Sequence, residues 1–308
     1  MKRSEMKKKP RKLWLKIPLI IILLLGVGIG VYAVSVYNNA KTTVNEKMHE
    51  PVNSIEREVV KKKVKATEPL NILLLGVDAR AGDRGRSDAL MVLSLDPTSD
   101  SMQLVSIPRD TRTTIIGKGF DDKINHAYAY GGVDMSVATV ENFLDIELDH
   151  YVRMNMEGLE ELVDELGTIS VNNEIAWNDG TYDFGIGPVE MGGDKTMHFV
   201  RMRKQDPNGD FGRTTRQRQV IQGIVEQGAS VGSITKIDSM LAILGNNMAT
   251  SLDFADMKKL LTGYKDTRKN FVSYQMTGSG TNIDGIYYFI VPDEEIAKVH
   301  GMINEVNS

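Results

Sequence analysis

Hydrophobic positions fall along this chain in three ways: one unbroken apolar run, several short apolar blocks, and stretches with apolar residues every third or fourth position. The unbroken run, IPLIIILLLGVGIGVYAVSVY from Ile17 to Tyr37, has about 21 uncharged residues, the length that crosses a bilayer. Basic residues ahead of it predict a cytoplasmic N-terminus and a single-pass type II membrane protein whose bulk lies outside the cytoplasm. A cleaved signal would have a shorter core and a small-x-small site, and SVYNNA offers no convincing one. The organisation predicted is a cytoplasmic tail over 1–16, a transmembrane anchor over 17–37, an extracellular stalk over 38–69 and one catalytic domain over 70–308. In the stalk, Val44, Met48, Ile55, Val59 and Val60 are scattered too thinly for a core.

The short blocks predict strands. NILLLGVD (71–78) reads as a buried strand with Asp78 at its C-terminal end, a place where sites often form. ALMVLSLD and QLVSIPRD flank the turn Pro97-Thr98-Ser99-Asp100 and predict two strands, the second ended by Pro108-Arg109-Asp110. TISVNN and FVSYQM are further strand candidates, and GIGPVEMGG reads as a loop. The helical spacing marks MEGLEELVDELG, closed by Gly167, DKTMHFVRMR with Asp194 near its N-cap, two helices around Leu241 and Leu260, and the closing DEEIAKVHGMINEV. KINHAYAYGG (123–132) reads as a loop entering a helix that carries Val137, Val140 and Phe143. Strands and helices alternate without a regular βαβ period, so the fold class is α/β, a single domain with a mixed sheet flanked by helices.

Charge sharpens this picture. The formal net charge is −4, yet eight Lys and Arg precede the apolar run against Glu5 alone. Taking that net +7 away leaves −11 for the rest, so nucleic acid is a poor partner for the domain. Cysteine is absent, which excludes thiolate chemistry and disulfides. No G-x-x-x-x-G-K-[ST], G-x-S-x-G or H-E-x-x-H pattern occurs, and the five histidines have no metal-like spacing. His126 and His198 read as packing or hydrogen-bonding residues.

Inside the acidic body, Phe199 to Gln219 (FVRMRKQDPNGDFGRTTRQRQ) holds six basic residues against Asp206 and Asp210. By spacing alone it is either a solvated charged face or a site where guanidinium forks grip a multiply charged anion. Arg201 and Arg203 are two apart and share a pocket only if their helix ends there. Arg213 and Gln217 lie i, i+4 on one face, with Arg216 their near neighbour and Arg218 turned to solvent. Asp78 and Asp88 would meet at one sheet edge if their strands are adjacent, and two hard oxygen ligands suit Mg²⁺; strand-end turn or capping aspartates are the plain alternative. Arg86 lies two residues before Asp88, and Arg109 beside Asp110.

The ordered motifs NILLLGVD…RSDALMVLSLD, VSIPRD, KINHAYAYGG, FVRMRK and GDFGRTTRQRQVI, behind an N-terminal anchor, resemble the LytR-CpsA-Psr family of cell-wall polymer transferases from Asn71 to about Ile224. The resemblance implies a central mixed sheet and a hydrophobic channel for a polyisoprenyl chain. It implies transfer of an anionic glycopolymer from an undecaprenyl pyrophosphate carrier at the cytoplasmic membrane to a peptidoglycan sugar hydroxyl. The family's metal-binding aspartates fall on Asp78 and Asp88, with Mg²⁺ (or Mn²⁺) as cofactor. Its pyrophosphate-binding residues fall on Arg86, Arg109, Arg201, Arg203 and Arg213, with Gln217 beside them and Lys123 near the pocket; Asp88, Arg109 and Arg86 would carry catalysis. The loop ARAGDRG varies in length across the family, which leaves Arg80 and Arg84 unassigned. Two other readings compete: a membrane-anchored binder or regulator without turnover, and a lipid pyrophosphatase.

Overall fold

The computed structural model describes residues 30–78, 85–230 and 236–306. The predicted tail lies wholly outside these residues and the predicted anchor mostly so; among the described residues no helix is long and apolar enough to cross a membrane. Helix α1 (described over residues 30–42) runs into a π-helical turn, Thr43–Met48, and then α2 (Arg57–Ala66). Next come β1 (Leu70–Val77), β2 (Ser87–Asp96), β3 (Ser101–Ser106), β4 (Arg112–Ile115), β5 (Phe120–Lys123), α3 (His126–Leu144), β6 (His150–Asn155) and α4 (Met156–Leu166). They are followed by β7 (Ile169–Asn173), β8 (Trp177–Asn178), β9 (Asp183–Phe184), β10 (Gly187–Met191), α5 (Gly193–Arg201), α6 (Asp210–Ser230) and α7 (Ile237–Asn247). The chain closes with β11 (Met248–Thr250), α8 (Phe254–Gly263), β12 (Asn270–Gln275), β13 (Ser279–Ile283), β14 (Ile286–Ile290) and α9 (Asp293–Val306).

Six strands form one mixed sheet in the order β11-β6-β1-β2-β3-β12. The β1–β6 and β3–β12 pairs are parallel; β1–β2, β2–β3 and β6–β11 are antiparallel. The apolar run of β1 fits a strand covered on both faces. The β2–β3 turn closes at Asp100, whose φ of 51° is tolerated by an aspartate, and Asp96 accepts from the Thr98 amide at 2.7 Å. Period-two alternation then sorts the sheet's faces. Leu73, Leu75, Leu90 and Val92 pack in the main core with Val137, Val140 and Phe143 of α3. Leu74, Gly76, Ala89 and Met91 line a cavity on the other face.

Two expectations change. Residues 43–66 do not stand off as a stalk: Val44 and Met48 are buried, and Ile55, Val60 and Val64 join the main core. Lys63 reaches the buried Asp149 at 2.8 Å, and the Glu50 amide donates to the Thr250 carbonyl at 2.8 Å. Few apolar residues suffice there because each lands on an existing surface. GIGPVEMGG contains β10, paired antiparallel with β7, so its glycines bound a strand. Asp194 lies near the N-cap of α5 as expected, in the first turn two residues past Gly192. The β4–β5 and β8–β9 hairpins are too short for a pattern to declare, and sequence reasoning missed the β13–β14 hairpin around Asp284-Gly285 although its strands are as long as β7.

Candidate functional site

The two aspartates meet at one end of the β1–β2 pair. Gly76 pairs with Ala89 and Val77 with Ser87, so Asp88 is the extra residue of a β-bulge. A bulge re-aims its side chain out of the strand's alternation, and Asp78 directly follows β1 at the same end of the paired strands. The strands are antiparallel neighbours, and both carboxylates therefore belong to one sheet edge.

Arg109, just past β3, crosses to this edge and donates from Nη1 to Asp88 Oδ1 at 2.5 Å. Its Nε lies 3.6 Å from Asp210 and 3.8 Å from Asp110. Asp210 stands at the hub, with Arg213 Nη2 at 2.8 Å and Arg203 Nε at 3.7 Å. Lys123, ending β5, pairs with Asp110 at 2.8 Å. Burial works against the Arg109 charge, but Asp210, Asp88 and Asp110 together outweigh it and raise its pKa. For Arg213 burial prevails, reinforced by Arg109 and Arg203, and its pKa is lowered despite Asp210. Arg109 Nε and Arg213 Nε are buried donors with no hydrogen-bond acceptor among the described residues. Buried donors rarely stay unsatisfied, and two guanidinium edges converging in this state suit an oxyanion ligand.

The basic run achieves this through its helix boundaries. Helix α5 ends at Arg201, and Met202 leaves it at ψ 131°, so Arg203 turns toward Asp210. Arg216 is structural: its Nε donates to the Phe199 carbonyl at 3.1 Å, Nη2 to the Met202 carbonyl and Nη1 to Asp206, both at 2.5 Å. A Cβ on Gly212 would sit 1.7 Å from Asp206 Oδ2, which explains the glycine in GDFGR. Arg218 is buried, not solvated, donating to Gln275 at 3.0 Å and Thr215 at 3.1 Å. Burial pushes its pKa down to about 10.

Below the cluster lies an apolar cavity of about 220 Å³. Leu74, Gly76, Ala89 and Met91 form its floor, Leu159 and Leu162 of α4 one wall, and Val220 and Ile224 of α6 another. Gln217, one turn past Arg213 on the same face as the spacing predicts, joins the cavity to the charges. Gly76 and Ala89 keep the end nearest Asp88 clear of side chains.

The fold thus gathers Asp88, Arg109, Lys123, Arg203, Arg213 and Gln217, with Asp78 at the same edge. Arg201 is exposed at the end of α5, and Arg86 is exposed within electrostatic reach of Tyr130. Arg80 and Arg84 lie outside the described residues. Asp210 and Asp110 are site residues that sequence reasoning missed. An aspartate opening a helix reads as a dipole or capping residue, and one beside Arg109 as its simple partner.

Residues 31–305 match the model of the LytR_cpsA_psr family. The chain belongs to the LytR-CpsA-Psr family. A Bacillus licheniformis relative, 43% identical over 99% of both chains, is the polyisoprenyl-teichoic acid–peptidoglycan teichoic acid transferase TagU. The crystal structure of Bacillus subtilis TagU is 40% identical with a TM-score of 0.64, over 78% of this chain and 97% of that one. TagT bound to LIIa-WTA superposes with a TM-score of 0.71 at 30% identity, over 84% and 99%. In this LytR-CpsA-Psr protein the charged cluster and the apolar cavity are neighbours along α6, where Gln217 of the cavity lining lies one turn past Arg213.

Proposed function

We propose that this protein is a phosphotransferase that moves wall teichoic acid from its undecaprenyl pyrophosphate carrier to a sugar hydroxyl of peptidoglycan, forming a phosphodiester. The observation that carries the reading is the apolar cavity opening beneath unsatisfied arginine donors, a match for a molecule that is lipid at one end and pyrophosphate at the other. Relatives aligned over nearly the whole chain are teichoic acid transferases. Arg109, Arg213 and Arg203 bind the pyrophosphate, exchanging aspartate partners for phosphate oxygens, while Gln217 lies where lipid gives way to charge. The acceptor oxygen attacks the polymer-side phosphorus; that O–P bond forms as the bridging P–O bond breaks. Undecaprenyl phosphate leaves and takes up the hydroxyl proton. Positioning and charge neutralisation carry catalysis of this kind.

Asp78 and Asp88 fit a Mg²⁺ (or Mn²⁺) ion that takes one or two carboxylates and fills its remaining positions with water and phosphate. Among the described residues no cluster of three or more His, Cys, Asp or Glu offers a cage for a metal alone, so this ion would be shared with substrate. When bound it would neutralise charge on the pyrophosphate. The proposal includes a membrane anchor within residues 17–37 and a domain on the outer side, where both substrates lie and the pyrophosphate bond supplies the energy.

The test is transfer of a radiolabelled lipid-linked teichoic acid precursor to peptidoglycan oligomers, with and without Mg²⁺, beside Asp88→Ala. Label should reach glycan only with the metal and intact Asp88, and the variant should lose about 10²–10³-fold in rate. Tight lipid binding with no turnover under any condition would refute the transferase reading.

A further inference from the structure

We propose that the aromatic surface formed by Phe120, Tyr130 and Tyr287 is the subsite that holds the acceptor glycan. The proposal rests on the transferase reading above and adds where the second substrate lies. Large apolar side chains are seldom left bare in a group without a purpose. Phe120 is 47% exposed, Tyr130 40%, Ile286 50% and Tyr287 46%, and all belong to one region, where β5, the start of α3 and the β13–β14 hairpin meet. Phe120 and Tyr130 pack edge to face at 5.8 Å. Tyr287 faces Lys123, whose ammonium lies 5.9 Å from the ring.

The surface is continuous with the charged cluster. Lys123 is bonded to Asp110, the Phe289 amide donates to the Asp110 carbonyl at 2.9 Å, and the Asn125 amide donates to the Arg109 carbonyl at 3.3 Å. It is also held firmly. Buried Asp122 accepts from Tyr130 Oη at 2.6 Å, from the Lys123 amide at 2.8 Å and from His126 Nδ1 at 2.8 Å. The Tyr130 ring, fixed in this way, loses little freedom on binding.

Its position selects the occupant. Helix α3 packs on the sheet face opposite the one that floors the cavity. In an in-line displacement the nucleophile enters opposite the leaving group. With the lipid phosphate leaving toward the cavity, the incoming hydroxyl comes from the α3 side, across these rings. The C–H faces of pyranose rings pack on aromatic rings, and Lys118, 5.5 Å from the Tyr130 ring, and Lys123 add donors for sugar oxygens. The donor's own sugar is a substituent on the attacked phosphorus and is not in line with the leaving group.

Full-length protein in detergent, assayed with the lipid-linked donor and peptidoglycan oligomers varied separately, tests this. Tyr287→Ala and Phe120→Ala should each raise KM for the glycan about tenfold and leave KM for the donor in place, while Tyr287→Phe keeps the wild-type value. Unchanged acceptor KM in the alanine variants, or a rise in donor KM instead, overturns the proposal; the second result would place donor sugar on the rings. Glycan-oligomer titration without donor, followed through the tyrosine ring resonances, stands apart from turnover. Wild-type shifts at Tyr130 and Tyr287 are expected, with the Tyr130 shift lost in Tyr287→Ala, and absence of the wild-type shifts refutes the subsite even if transfer itself fails.

Discussion

Ala89→Leu separates lipid binding from stability. Ala89 faces the cavity across from Gly76, whose missing side chain leaves room for the larger residue to extend inward. At about 24 cal/mol per Å³, an apolar chain filling the roughly 220 Å³ cavity gains on the order of 5 kcal/mol, between three and four powers of ten in affinity. Leucine adds three carbons in space that the lipid would occupy. At about 0.8 kcal/mol per buried carbon, the lipid loses about 2.4 kcal/mol, a weakening of about 50-fold. The same carbons are buried in the free protein, so stability should hold or rise by up to about 2 kcal/mol. The assay compares long-chain and truncated-chain donors, by direct binding, on wild type and variant, with urea denaturation of each protein alongside. Weaker long-chain binding, unaltered truncated-chain binding and no loss of stability are expected. A wild type indifferent to chain length, or a variant that binds the long chain equally well, would refute a lipid role for the cavity.

Two further predictions concern stability. Arg216→Leu removes three donors from a guanidinium whose side chain is 4% exposed and strands the buried Asp206 carboxylate. It should cost about 3–5 kcal/mol in denaturant unfolding, and a loss under 1 kcal/mol would show that the network is not structural. His150 is buried, with Nδ1 3.1 Å from Ser251 Oγ and no hydrogen-bond partner at Nε2 among the described residues. Burial, aided by His49 and only partly opposed by Asp253, pushes its pKa from 6.5 to about 4. Between those values the unfolded chain binds a proton that the folded chain refuses, so stability falls as pH drops from 6.5 toward 4, by about 3 kcal/mol in all. His150→Gln should flatten that part of the curve; parallel curves for variant and wild type would contradict the assignment.

Sequence reasoning reached furthest where local pattern is enough. A mostly apolar strand followed by Asp78 and the i, i+4 relation of Arg213 and Gln217 follow from short-range geometry. Asp88 comes to the same end of the sheet because β1 and β2 pair, the condition that the sequence left open. It saw in Arg216 only a near neighbour of Arg213 and Gln217, and misjudged Arg218, assigned to solvent, because a helix wheel cannot say what packs against each face. The end of α5 and Asp206 claim the first; Gln275 on β12 and Thr215 hold the second.

What the amino-acid sequence determined alone is the α/β class with a mixed sheet, the acidic carboxylate pair, the basic run and the family. The strands, helices, carboxylates and basic run are read from residue type and local periodicity, and the family from the order of several such motifs between Asn71 and about Ile224. Only the tertiary structure decided that residues 43–66 belong to the domain, that Asp210 is the hub of the arginines, and that one sheet face packs in the main core while the other floors a cavity walled by α4 and α6. These depend on pairings between residues far apart in the chain, as between Arg109 and Asp210 or Lys63 and Asp149, and such pairs leave no local pattern to read.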